Sequence, residues 1–197
     1  MHPTDVPFFL AFLKKSVFSD RMKTDLLIKR GEGIMYKIRK AETKDLNRIK
    51  EIYGTARKFM RDNGNFSQWE GGDAPELLLE DDIKLGQLYV LGEGETHAVF
   101  AFIKGEDPMY RIIEDGSWIT DSEYAAVHRV ASDRTVQNVM NKVMEYCKEQ
   151  IPHIRIDTHE DNKVMQHVLE KNGFERRGIV YAGDGTPRIA FEWVRES

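Results

Sequence analysis

The sequence predicts an α/β (α+β) chain built on a mixed, mostly antiparallel central sheet. Two strand-then-helix units follow one another, Tyr124–Ser132 with Val136–Glu149 and Ile154–Asp157 with the helix that ends at Asn172-Gly173. Consecutive units of this kind imply neighbouring strands, parallel where the crossover is right-handed. The other strands come as tight pairs, Gln87–Gly92 with Thr96–Ile103 and Phe174–Tyr181 with Arg188–Val194, and short turns make such pairs antiparallel. A chain of 197 residues with 41% apolar and 31% charged content suits one soluble domain with its own core.

Taken in order, residues 1–34 differ from the rest: an apolar patch, Val6–Leu13, precedes a basic run ending Lys29-Arg30-Gly31-Glu32-Gly33. They show no clean strand or helix partner and read as an N-terminal extension, with 35–197 as the domain proper. Arg-Gly-Glu-Gly corresponds to purine-rich codons, so Met35 is an alternative start. Tyr36–Lys40 is a short strand. Thr43 suits the N-cap of a helix from Lys44 to about Arg61, whose apolar positions Leu46, Ile49, Ile52, Tyr53, Ala56, Phe59 and Met60 share one face. Charges on this helix, Asp45 included, read as solvated surface. Asp62-Asn63-Gly64-Asn65 ends it. Phe66–Gly72 then sets Gln68, Trp69 and Glu70 side by side, either as a core plug or as a loop lining a substrate site. Pro75 opens a second helix, about Pro75–Leu85. Lys104–Asp121, with Pro108, Tyr110, Gly116 and Trp118, is an irregular segment of a length that often carries function.

The stretch Ile154–Phe174 organises the chain. Ile154 and Ile156 alternate with Arg155 and Asp157 as in a half-buried strand. Val164, Met165, Val168 and Leu169 recur at helical spacing, and Gly173 suits a left-handed cap. Between them, Asp157 to Asn162 form an unbroken polar run at a strand-to-helix junction, where ligands bind in α/β folds.

Composition excludes several classes. Lys and Arg number 29 against 33 Asp and Glu, a net charge of −4, which gives no basic excess for nucleic acid. The one cysteine, Cys147, falls in a predicted helix, so neither an intrachain disulfide nor a cysteine metal cluster is expected. No apolar run approaches the length of about 20 residues that spans a membrane, and Val6–Leu13 lacks the flanks of a signal peptide. A cytoplasmic protein with no membrane partner and no metal is the expectation.

The element order over about Tyr36 to Val194 resembles the GCN5-related N-acetyltransferase (GNAT) superfamily. Asn162 through Gly173-Phe174 looks like that family's closing helix. Gln68-Trp69, Asp82-Ile83…Gly86, His128-Arg129-Val130, Asp157-Thr158-His159…Asp161-Asn162…Met165 and Gly178-Ile179 resemble a bacterial subgroup of unassigned substrate. The resemblance implies helices on both faces of the sheet. It implies that the strands Tyr124–Ser132 and Ile154–Asp157 splay, with acetyl-coenzyme A (acetyl-CoA) in the gap. Elementary chemistry agrees: parting strands leave peptide groups unpaired, at about 1–3 kcal/mol each when buried, and the amide arm of pantetheine can partner them. A helix N-terminus suits the pyrophosphate.

Carried over residue by residue, the resemblance implies cofactor contacts from Val130, Ser132, Arg134, Gln137, Asn138, Val139, Met140, Lys142, Asn162 and Met165. The backbone N–H of Val130 would polarise the thioester carbonyl. Gln68, Trp69, Trp118 and Asp157 would meet the acceptor. The chain departs from the family pattern twice. The pyrophosphate loop, usually Arg/Gln-x-x-Gly-x-Gly/Ala, reads Thr135-Val136-Gln137-Asn138-Val139-Met140. Asn138 tolerates left-handed geometry, whereas Met140 brings bulk, and Arg134 and Lys142 add charge. The late helix position that often holds a general-acid Tyr is Leu169.

Acetyl transfer requires a deprotonated amine, a polarised carbonyl and alignment of the two. Three residues are candidates for the base: His128 on a strand and expected on one face with Ala126 and Val130, His159 at a strand end, and Glu70 on the Trp69 loop. Each has a plain structural alternative: a hydrogen-bonded half-buried histidine, a capping residue and a solvated charge. Asp157 is placed to orient His128 or Arg129. The expected function is N-acetylation of a primary amine on a small molecule, amino acid or peptide. The sequence leaves the oligomeric state open; the resemblance allows a homodimer, since members of that family often dimerise. The competing reading is a non-catalytic acyl-CoA-binding or protein-interaction module on the same fold.

Overall fold

The computed structural model describes residues 26–29, 35–69 and 74–196. An eight-stranded sheet runs in the order β1-β2-β3-β4-β5-β6-β8-β7. Its strands are β1 (Leu26–Lys29), β2 (Met35–Lys40), β3 (Leu88–Glu93), β4 (Glu95–Lys104), β5 (Ala125–Ser132), β6 (His153–Thr158), β7 (Glu175–Tyr181) and β8 (Pro187–Val194). The helices are α1 (Leu46–Asp62), α2 (Leu79–Lys84), α3 (Val139–Gln150) and α4 (Lys163–Lys171). Of the sheet's seven neighbour pairs, β5–β6 alone is parallel. The mixed, mostly antiparallel sheet read from the sequence is the observed one.

Strand alternation divides the core. One face buries Phe100, Phe102, Val127, Ile154 and Ile156 with Val143, Met144 and Cys147 of α3 and Leu169 of α4. On the other face, Ile49, Ile52 and Tyr53 of α1 and Leu79 of α2 meet Leu88, Val99 and Ala101. Beside them Tyr110 and Tyr124 pack on Ala126 and Ala190. Burial raises the pKa of the Cys147 thiol, as expected for a cysteine inert within a core.

Several local expectations are corrected. Leu26–Lys29 is a strand, paired antiparallel to β2, because backbone pairing with an edge needs no strong side-chain pattern. The rest of the 1–34 extension lies outside the described residues. Helix α1 is preceded by a 3₁₀ turn, Thr43–Asp45; Glu42 caps the turn and Asp45 stands at the N-cap of the helix, in place of Thr43, with the Glu42 N–H donating to Asp45 Oδ2 at 2.8 Å. Asp45 is therefore not solvated surface but buried, held in a two-pronged pair with Arg39 at 2.7 and 2.8 Å. Helix α3 starts at Val139, three residues later than predicted, because Asn138 adopts the left-handed conformation (φ 57°) and ends the preceding loop. In α4, Asn162 caps the N-terminus through Met165 N–H, and Gly173 takes φ 78° after the C-cap, as its sequence implies. Among the described residues no helix is long and apolar enough to cross a membrane.

Candidate active site at the opening between two strands

The parallel ladder between β5 and β6 has three rungs, Ala125↔Ile154, Ala126↔Arg155 and Val127↔Ile156. From His128 onward β5 pairs with β4 only, and from Asp157 onward β6 pairs with β8 only. The strands part where the sequence places its polar run. The cause is visible in β5: Arg129 is left-handed (φ 53°), and the β4–β5 register shifts between Val99 and Ala101. A left-handed residue in a strand makes a bulge, and a bulge bends the strand. It also resets alternation. Val130 joins the α3 face with Val127, so it does not share a face with His128.

Had the ladder continued, His128 would face Asp157 and Arg129 would face Thr158. The first of these rungs is replaced by side chains. His128 Nε2 lies 2.9 Å from Asp107 Oδ2, and its Nδ1 lies 3.5 Å from Asp157 Oδ1. Tyr110 stacks on the imidazole with centroids 5.6 Å apart and donates its hydroxyl to Asp157 Oδ1 at 2.8 Å. Burial pushes the Asp157 pKa up, against the pull of His128, Tyr110 and Arg188. Burial acts the same way on Asp107, but there the hydrogen bond and charge of His128, with the Met109 N–H and Arg129, outweigh it and hold the carboxyl below its usual range. Asp107 and Tyr110 are the site residues the sequence reading missed, since both belong to the irregular segment.

The second would-be rung carries the two buried side-chain polar atoms that lack a hydrogen-bond partner among the described residues, Arg129 Nε and Thr158 Oγ1. Arg129 turns toward α2, where its Nη2 meets Asp82 Oδ2 at 2.6 Å, and Tyr53 donates to its carbonyl at 3.1 Å. Unpaired buried groups of this kind are uncommon and call for an explanation.

The irregular segment is firmly held against the sheet. Trp118 Nε1 donates to the Tyr110 carbonyl at 3.0 Å. The Arg155 guanidinium lies 4.1 Å from the ring centroids of both Trp118 and Tyr124 and donates to the Thr120 carbonyl. Glu192, fully buried, accepts from His153, Arg155 and the Ile119 N–H. Trp118 thus spends its indole N–H and ring face on anchoring the segment that bears Asp107.

The other named residues divide. Gln68 Oε1 accepts from Asn162 Nδ2 at 3.1 Å, which ties the Trp69 loop to the N-terminus of α4. Trp69 meets Tyr53 edge-on at 5.4 Å and packs on the α1–α2 cluster. His159 Nδ1 accepts from the Asp161 N–H at 3.2 Å, and its Nε2 lies 3.5 Å from Ser67 Oγ. Both ring nitrogens thus have near neighbours, one in the turn that precedes α4 and one in the loop before Gln68. Glu70 lies outside the described residues.

Toward α3, the loop after β5 is braced by Asp133. It accepts from Arg48 at 2.5 Å, from the Thr135 N–H at 2.9 Å and from the Thr135 hydroxyl at 2.6 Å, and it lies 3.0 Å from His97 Nδ1. Arg134 and Asn138 are both left-handed, so the loop takes without glycine the geometry glycine usually supplies. Val139 is buried, and Met140 packs partly buried on the main cluster. The Met140 side chain is thus directed to the core, contrary to the expectation that it brings bulk to the phosphate side. Arg134 stacks 3.6 Å from the Phe59 ring centroid. Ser132 pairs with Ala98, and Lys142 belongs to the first turn of α3, its N–H bonded to the Asn138 carbonyl. These features fit an acyl-CoA: an open pair of strand edges, orphaned polar atoms beside it, and the exposed residues Gln137 and Asn138 before a helix.

A mixed sheet whose one parallel pair opens beside a helix N-terminus defines the acyl-CoA N-acyltransferase fold. No family model and no curated protein matches the chain. Solved structures do. A GNAT-family acetyltransferase from Streptococcus agalactiae is 29% identical with a TM-score of 0.74, over 82% of this chain and 96% of its own. An aminoglycoside N(6')acetyltransferase from Legionella pneumophila shares the fold at 13% identity, with a TM-score of 0.57 over 81% and 91% of the two chains. RimL, a ribosomal L7/L12 alpha-N-protein acetyltransferase solved with coenzyme A, does so at 14% identity, with a TM-score of 0.52 over 81% and 94%. The chain thus shares its fold with GNAT-family acetyltransferases, and the Streptococcus agalactiae enzyme is similar to it in sequence as well.

Proposed function

We propose that the protein transfers an acetyl group from acetyl-CoA to a primary amine. The observation that supports this most is the opening of β5 from β6 at His128 and Asp157, with a carboxylate-bound imidazole at its apex. The thioester arm lies between the strand edges, and the Val130 N–H meets the acyl oxygen. The carboxylates of Asp107 and Asp157 favour a cationic amine nearby. His128, poised by Asp107, is the proton acceptor; His159 and Trp118 serve as structural ties. The acceptor is a small molecule, an amino acid or a peptide.

The test is calorimetric titration of acetyl-CoA followed by a free-thiol assay across an amine panel. Binding with amine-dependent thiol release is expected. Binding without release from any amine would favour a non-catalytic acyl-CoA-binding module. Absence of both would refute the assignment.

A further inference from the structure

Thr158 is 1% exposed, yet among the described residues its hydroxyl has no partner. It shares a strand face with Ile156 and Ile154, two and four residues back, and that face is covered by the cluster containing Leu169. Val130, Met165 and Leu169, which join this cluster, carry no side-chain donor. Thr158 is therefore a hydroxyl retained at an apolar position, where valine would fill the same space without an orphaned group.

Its place in the sheet suggests why. His128 and Asp157 form the first unpaired rung, and Arg129 and Thr158 the second. Resting on the acyl-transfer reading, an acyl carbon at the apex beside His128 leaves the thioester sulfur one step outward, at the second rung. We propose that the Thr158 hydroxyl donates a hydrogen bond to that sulfur as the C–S bond breaks. The amine lone pair forms the new C–N bond, and the C–S electron pair leaves on sulfur. The proton lost by the amine passes to the base and then to solvent. The thiolate is held by the Thr158 O–H, which keeps its proton, and sulfur is protonated from water. Preorganised donors aimed at developing charge act in this way.

The experiment compares Thr158→Val, Thr158→Ser and Thr158→Ala with the wild type, reading kcat, the KM for acetyl-CoA and Tm. In the valine variant kcat is expected to fall about tenfold or more, with KM changed less than about twofold, while Tm rises because the orphaned hydroxyl is gone. Serine retains kcat, and alanine loses it. A folded valine variant with undiminished kcat, or serine and alanine variants of equal kcat, would overturn the proposal while leaving acyl transfer intact. A wild type that neither binds acetyl-CoA nor releases thiol would remove the acyl-transfer reading and this role together.

Discussion

His128 and Asp107, separated by a hairpin's length of chain, meet at 2.9 Å between Nε2 and Oδ2, at the point where β5 leaves β6. Asp107 fixes the proton on Nε2 and leaves Nδ1 beside Asp157. A carboxylate that orients an imidazole sets its tautomer. Replacing His128 by alanine is expected to lower kcat/KM by about 10²–10⁴, and Asp107→Asn by less. Steady-state kinetics over pH checks this. A His128→Ala enzyme with full kcat/KM would remove it as base.

Gly116 couples the irregular segment to the sheet. A Cβ there would overlap the carbonyl of Arg177, and one at Gly178 would overlap that of Glu114, which bridges to Ile179. Gly116→Ala is expected to destabilise by about 1–3 kcal/mol. It should also lower kcat, because the displaced segment carries Asp107. Denaturant melts and kinetics on one sample check both. Loss of stability with unchanged kcat would uncouple the segment from the site.

Asn162 does two jobs, capping α4 and holding Gln68. Asn162→Ala is expected to lower stability by about 1 kcal/mol through the cap and to raise KM for the amine by releasing the Trp69 loop. Gln68→Ala should reproduce only the second effect. Melts and acceptor titrations separate the two.

Acid lability follows from the buried carboxylates. The hydrogen bond from Arg39 holds the Asp45 carboxyl below its usual range, against burial and helped by the Glu42 N–H. A group whose pKa is lower in the folded state contributes stability above its unfolded pKa and loses it as pH falls through the folded value. Asp107, Asp133 and Glu192 are shifted the same way, each by its hydrogen-bond partners overcoming burial. The melting temperature is expected to be flat near neutrality and to fall below about pH 4. Asp45→Asn should lower it at neutral pH and flatten the acid limb, which scanning calorimetry at several pH values reads.

Much of the fold is written in local pattern. The alternation through Ile154 and Ile156, the stop at Asn172-Gly173 and the turns at Gly94 and Gly185 all act over a few residues. Apart from β1, which has no predicted counterpart, and α2, which starts four residues after Pro75 behind a 3₁₀ turn, the strands and helices fall within three residues of their predicted starts. Asn138 is left-handed for the reason its residue type suggests. What escaped depends on distant partners. Asp45 reads as a surface charge until Arg39 folds against it. Asp107 and Tyr110 are unremarkable in an irregular segment until Arg155, Glu192 and Trp118 dock that segment on the sheet. The bulge at Arg129 leaves no periodic trace, so alternation alone puts His128 and Val130 on one face. Thr158 reads as part of a polar junction, whereas its burial and its missing partner among the described residues are facts of packing.

Amide hydrogen exchange on the full chain, with and without saturating acetyl-CoA, tests the opening most directly. The backbone N–H groups of Val130 and its neighbours on β5, and of Asp157 and Thr158 on β6, are the ones to follow. Protection of the Val130 amide on adding acetyl-CoA, with little change along Ala125–Val127, is the expected result. Binding that leaves Val130 exchange unchanged, and protects residues elsewhere, would contradict the placement of the thioester arm between these strands.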